Sequence, residues 1–275
     1  MANYTAADIK ALRERTGAGM MDVKKALDEA NGDADKAMEL IRIKGLKGAT
    51  KREGRSTAEG LVAAAVEGGV GVMVEVACET DFVAKAAPFI EFANTVLATA
   101  VASGAADVET LLAVDVDGKP MSEAVIAAGA LLGEKVAIRR LARIEGATVD
   151  AYLHKTSKDL PAQVGVLFAI DGDNQEVAHD VAVHIAAMSP TFLTRDEVAA
   201  DVVESERRIA AETAQAEGKP EAAMTKIVEG RLTGFFKEIV LVDQPFAKDS
   251  KKSVAAVLSE AGVKPVAFAR FRVGA

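Results

Sequence analysis

Scarcity says the most at first reading: this 275-residue chain has one cysteine, no tryptophan and two tyrosines. Cys78 stands alone, so no intramolecular disulfide can form, and a reducing cytoplasm is the expected location. No apolar run approaches the roughly 20 residues that a membrane-crossing helix requires. The first residues lack a basic segment followed by an apolar stretch, so no secretion signal is expected. Positive charge is also short. A formal net charge of −8 argues against a protein built mainly to bind nucleic acid, whose phosphates most of this surface would repel.

Reactive constellations are missing as well. The chain contains no Gly-x-x-x-x-Gly-Lys-Ser/Thr phosphate loop, and Gly69-Val70-Gly71 lacks the third glycine of a dinucleotide fingerprint. His179 and His184 are five positions apart, whereas two zinc-binding imidazoles on one helix face need a spacing of four. Both read as surface or packing residues. Cys78 ends an apolar stretch with no basic neighbour in sequence and reads as a core thiol. No Gly-x-Ser-x-Gly elbow is present. Neither a cofactor nor a catalytic residue is expected, and the chain reads as a protein that works by contact and not as an enzyme.

The pattern that is present reads as α+β. Residues 1–45 form three short helices. Thr5 caps the first, with Asp8 at its third position and Gly17 as its stop; the second runs from about Met20 to Ala30, and Asp33 caps the third. Residues 46–57 overlap a basic run from Lys44 to Arg55 (Lys44, Lys47, Lys51, Arg52 and Arg55 against Glu53). An RNA or phosphate contact is one reading of that run. No aromatic residue accompanies it to stack on bases, so it is taken as a linker.

Beyond it the period changes to two. Strands over 60–66 and 70–78 flank Glu67-Gly68-Gly69 as a hairpin. Helices over 88–101 and 122–132 and a strand over 136–144 complete a unit spanning 58–146. The order then recurs in 147–275: strands over 148–155 and 163–170, helices over 175–188 and 253–261, and a closing strand over 265–272. Two similar small antiparallel sheets are expected. A helical hairpin over 194–240 is inserted in the second unit. Its second arm carries Met224, Val228, Leu232, Phe235 and Ile239 at helical spacing, and its first carries Val198, Val202 and Ile209. Such a hairpin either packs on the body or projects from it.

One loop carries a candidate site. The strand ending at Cys78 runs into Glu79-Thr80-Asp81-Phe82-Val83. A carboxylate beside a large aromatic at a strand end makes a wedge with a polar tip. Alternatively, Thr80 or Asp81 caps the next helix while Phe82 tucks into the core.

Two segments carry a family resemblance. Leu12 to Leu27 reads Leu-Arg-Glu-Arg-Thr-Gly-Ala-Gly-Met-Met-Asp-Val-Lys-Lys-Ala-Leu, and a second motif reads Cys78-Glu79-Thr80-Asp81-Phe82-Val83-Ala84. Both resemble signatures of the elongation factor Ts family. Gly218-Lys219-Pro220, Val228-Glu229-Gly230-Arg231 and Gln244-Pro245-Phe246 follow in the family's order. The resemblance implies a UBA-like N-terminal bundle, a core of two subdomains with a coiled-coil insertion, and guanine-nucleotide exchange on elongation factor Tu. It implies that Thr80, Asp81, Phe82 and Val83 enter the partner near its magnesium ion, and that Arg13, Met20, Met21 and Lys24 meet its nucleotide domain. Tyr152-Leu153-His154 resembles the family's Tyr-x-His, whose histidine faces a remote partner domain. The polar stretch 155–162 departs from the tight loop expected there, which leaves the role of His154 open. The chain ends at Ala275, after a Phe-x-Val-Gly strand, so contacts that other members make through a later helical module are not expected. An RNA-associated protein using the bundle and the basic run is the alternative.

Overall fold

Three amphipathic helices open the computed structural model, which describes residues 3–16 and 18–275, with side chains 45–51 outside the description. They are α1 (Ala6–Thr16), α2 (Met20–Glu29) and α3 (Ala34–Arg52). Thr5 and Asp8 form a reciprocal capping box: the Thr5 amide donates to the Asp8 carboxylate at 2.7 Å, and the Asp8 amide donates to Thr5 Oγ1 at 3.3 Å. Asp33 caps α3 by accepting from the Lys36 amide at 3.0 Å. Leu12, Val23, Ala26, Leu27, Ala37 and Ile41 fill the bundle's core. Gly17, the expected stop of α1, lies outside the described residues, as do the side chains of Lys47 and Lys51.

The expected linker over 46–57 is corrected in its first half, because α3 continues through Arg52. A helical glycine costs only about 1 kcal/mol relative to alanine, and α3 recovers such losses by packing along α7, described below. Only the stretch after Arg52 connects bundle and core, and it is tied down. Lys135 Nζ donates to the carbonyls of Glu53 (2.5 Å) and Arg55 (3.1 Å), and Arg139 donates to that of Thr57 (2.7 Å).

Strands β1 (Glu59–Glu67) and β2 (Val70–Cys78) pair antiparallel around Gly68-Gly69. Both glycines have positive φ (54° and 81°), the backbone that a two-residue primed turn requires. Then come α4 (Asp81–Ala84), α5 (Ala87–Ser103), α6 (Val108–Ala113), the small hairpin β3 (Asp115–Val116) and β4 (Lys119–Pro120), α7 (Met121–Leu132) and β5 (Ala137–Glu145). The sheet order is β1-β2-β5. Val72, Val74 and Val76 alternate onto one face and pack with Phe89, Val96, Leu111 and Met121.

The second unit comprises β6 (Thr148–His154), β7 (Val164–Ile170), α8 (Gln175–Met188), α9 (Ala200–Ala216), α10 (Met224–Ile239), the hairpin β8 (Pro245–Phe246) and β9 (Asp249–Ser253), α11 (Val254–Glu260) and β10 (Pro265–Arg272). Its sheet runs β10-β7-β6. In both sheets the third strand therefore pairs with the second, and all pairings are antiparallel. The architecture is α+β, as the alternation of periods indicates. The two sheets approach closely enough that a Cβ on Gly165 would fall 2.4 Å from Val62 Cγ1. Val62, Met73, Leu167 and Phe271 pack in that interface.

The inserted hairpin differs from expectation in its first arm. Val198 precedes α9 in extended backbone, and Val202 and Ile209 are exposed. The seam is instead Ala210 against Val228 and Leu232, with Ala214 also buried. Small alanines let the two helices approach closely, and Arg207–Glu229 and Arg231–Glu217 ion pairs cross between them. Among the described residues no helix is long and apolar enough to cross a membrane.

Candidate functional site

At the end of β2 the Cys78 side chain is buried, and its thiol donates to the Thr80 carbonyl at 3.3 Å. Burial, with help from the nearby Glu134 charge, pushes this thiol from 9.0 up to about 12. It stays protonated and unreactive.

Thr80 then caps the single turn of α4, its hydroxyl accepting from the Val83 amide at 3.4 Å. The same hydroxyl donates to Glu134 Oε1 at 2.5 Å, and Glu134 Oε2 accepts from the amides of Glu79 and Thr80, each at 3.0 Å. Glu79 accepts from the Lys135 amide at 2.6 Å and pairs with both sides of its carboxylate to Arg55, at 3.1 and 3.2 Å. Two carboxylates thus bolt the loop to the corner between α7 and β5 and to the connection leading from the bundle.

Past this anchor the side chains divide. Ala84 is buried and Val83 packs partly against the core of the first unit. Phe82 points outward and is 74% exposed. Burying such a ring is worth roughly 1.5–3 kcal/mol, and this fold leaves that gain unused. Lys85 lies over the ring, its Nζ 4.6 Å from the centroid, and sits 3.3 Å from Asp81 Oδ2. Of the two readings of the loop, the structure keeps a part of each. Thr80 is a helix cap, and Phe82 is not enclosed. The result is a rigidly seated turn carrying an exposed aromatic flanked by an acid and a base.

Met20 and Met21, at the start of α2, are 58% and 62% exposed. Arg13 and Lys24 are exposed too. All four lie outside the bundle's core, and among the described residues no hydrogen bond, ion pair or ring contact joins them to the loop. His154 is exposed at the end of β6, its Nδ1 3.2 Å from the Tyr152 hydroxyl. The Tyr152 ring meets His179 edge-on at 5.9 Å, and His179 Nδ1 lies 3.1 Å from the largely buried Asp150 carboxylate. His184 is a packing residue: its Nδ1 accepts from the Ala247 amide at 3.1 Å, which leaves Nε2 to donate to Gln244 Oε1 at 2.9 Å. Burial lowers its pKa from 6.5.

Residues 79–275 match the family model described as elongation factor TS. Full-length relatives are similarly close. The chain is 79% identical over 277 residues to the elongation factor Ts of Arthrobacter sp. (strain FB24), and 80% identical over 278 residues to that of Renibacterium salmoninarum. It is 73% identical over 277 residues to that of Micrococcus luteus, and all three alignments span the whole of both chains. The chain belongs to the elongation factor Ts family. The family match begins at Glu79, inside the anchored loop. Glu134, Lys135 and Arg55, which hold that loop, escaped the sequence reading because their link to it is made only by the fold. The one available signal was the charged pair Glu134-Lys135 placed just before the closing strand.

Proposed function

We propose that this protein is a guanine-nucleotide exchange factor that binds GDP-bound elongation factor Tu, loosens its magnesium and phosphate site, and promotes GDP release during translation elongation. The observation that carries the reading is Phe82, a large ring held in solvent on a turn whose backbone is bolted in place. Membership of the elongation factor Ts family supports it.

The proposed mechanism is leverage. Phe82 inserts between partner helices that carry the magnesium ligands, with Val83 behind it and Thr80 seating the turn, while Asp81 fixes the side chains that are displaced. Magnesium is the largest local charge in such a site, so moving its ligands weakens phosphate binding. Arg13, Met20, Met21 and Lys24 supply a second contact, with the flexible thioethers adapting to the partner's nucleotide domain. His154, steadied by Tyr152, is assigned a third contact on a remote domain. Linkage closes the cycle: if the factor weakens GDP binding by some ratio, nucleotide weakens factor binding by the same ratio, and incoming GTP expels the factor. No bond is made or broken by this protein, and it needs no cofactor.

The RNA-binding alternative gains nothing from the structure. Lys44 is engaged with Glu29 at 2.6 Å, and Arg55 with Glu79. The test is release of a fluorescent GDP from elongation factor Tu, chased with unlabelled nucleotide, with and without this protein. Acceleration that Phe82→Ala abolishes supports the reading. A release rate that the protein leaves unchanged refutes it.

A further inference from the structure

We infer that Glu134 is a positioning residue for Phe82, a role that rests on the exchange reading above. An exposed ring has few packing neighbours to place it, so its location depends on its backbone. That backbone is a four-residue helix, far too short to hold its own shape, since isolated helices below about 12 residues are marginal in water. Two anchors do the work. On the far side, Val83 and Ala84 sit against the core. On the near side the Glu79 and Thr80 amides and the Thr80 hydroxyl converge on one carboxylate, that of Glu134.

The sheet ends just before that point. The ladder between β1 and β2 stops at the Glu59–Cys78 pair, and the one between β2 and β5 stops at Ala77–Ala137. The amides of Glu79 and Thr80 therefore have no strand partner, and Glu134 Oε2 accepts both at 3.0 Å. Its other oxygen receives the Thr80 hydroxyl at 2.5 Å and so orients the group that caps α4 through the Val83 amide. Gly133, in the left-handed region at φ 75°, ends α7 and sets the turn from which Glu134 emerges. The lock is reciprocal: Glu79 takes the Lys135 amide at 2.6 Å, so residues 79–80 and 134–135 exchange side-chain-to-backbone bonds. A carboxylate suits the position because all three of its partners are donors. A glutamine would turn its own donor toward the Thr80 hydroxyl.

The geometry gives Glu134 no direct contact with Phe82, so its influence passes through the amides of Glu79 and Thr80 and the Thr80 hydroxyl. The experiment is the release of fluorescent GDP from elongation factor Tu across a range of factor concentrations, using wild type, Glu134→Ala, Glu134→Gln, Phe82→Ala and the Glu134→Ala/Phe82→Ala double variant. A misplaced wedge still docks but works poorly. Glu134→Ala is expected to lower the saturating release rate about tenfold, with the half-saturating concentration shifted by less than about threefold, and Glu134→Gln to fall about threefold in rate. The double variant is expected to be no slower than Phe82→Ala, because a residue acting only through another adds nothing once that other is gone. Glu134→Gln keeps the fold if Glu134→Ala does not, and it then decides alone. Wild-type rates in the Glu134 variants, or losses that multiply in the double variant, overturn the assignment while leaving the wedge intact. If Phe82→Ala itself releases GDP at the wild-type rate, the wedge and this role fail together.

Discussion

Arg140 pairs with the buried Glu75 in its own sheet and reaches across to the other. The two residues face each other across the β2–β5 ladder, and Arg140 Nε donates to Glu75 Oε2 at 2.5 Å. Glu75 is fully buried, and its other carboxylate oxygen has no hydrogen-bond partner among the described residues. The guanidinium continues to the Arg272 carbonyl at 2.6 Å on β10 and lies 4.6 Å from the Phe271 ring centroid. One side chain thereby pairs with a buried acid in the first unit and grips a strand of the second.

Arg140→Ala strands that buried acid. Removing one partner of such a pair costs about 3–5 kcal/mol, and chemical denaturation should show a loss of that order. Glu75→Gln removes the buried charge while its amide oxygen can still accept from Arg140, and it should cost distinctly less. Equal losses in the two variants contradict this account of the pair.

Phe82 and Phe89 lie seven positions apart with opposite exposure, 74% against 0%. Phe82→Ala is expected to change unfolding free energy by no more than about 0.5 kcal/mol, the usual range for surface substitutions. Phe89→Ala should cost about 3–5 kcal/mol through lost burial and a cavity. Urea midpoints of the two proteins measure both, and a large loss in Phe82→Ala would mean that its ring supports the fold.

His184 carries a pH prediction. Burial lowers its pKa from 6.5, so on acidification the unfolded chain takes up a proton before the folded one does. The stability contributed by the neutral imidazole is therefore full above pH 6.5 and declines as pH falls below it. His184→Gln should lose less stability between pH 7 and pH 5 than the parent does, read as the shift in urea midpoint. Identical shifts would show that His184 does not set the acid response.

Cys78 shifts the other way. Its thiol is raised from 9.0 to about 12, so above pH 9 the unfolded chain loses a proton that the folded one keeps, and stability falls by at most about 1.4 kcal/mol per pH unit from this group. Cys78→Ala should show a shallower alkaline decline. At neutral pH an alkylating reagent should label Cys78 in urea but not in native protein, and equal labelling rates would contradict its burial.

Much of the fold was legible because its long elements keep one period throughout. The helix over 175–188 and the strand over 265–272 stand where alternation and spacing put them. In the first arm of the inserted hairpin, Ala210 and Ala214 carry too little apolar contrast to reveal a seam, whereas the larger Val202 and Ile209 stand out in the sequence although they are exposed. The two-residue strands of β3–β4 and β8 are too short to show any period. α3 ran on where charge and glycine suggested an end, since packing against α7 lies outside any local signal. At the site, Thr80 to Val83 could be singled out from their motif. Glu134, 54 positions from Thr80, acts through backbone amides that no spacing rule could pair with it.

The most direct measurement follows the ring itself. The chain has no tryptophan, so a Phe82→Trp protein that retains exchange and carries 5-fluorotryptophan gives a single fluorine signal. Its solvent isotope shift between H2O and D2O reports exposure. The account predicts a full shift in the free protein, loss of the shift in complex with nucleotide-free elongation factor Tu, and its return when GDP and magnesium are added. A complex that forms while the ring keeps its full solvent shift would contradict insertion of residue 82.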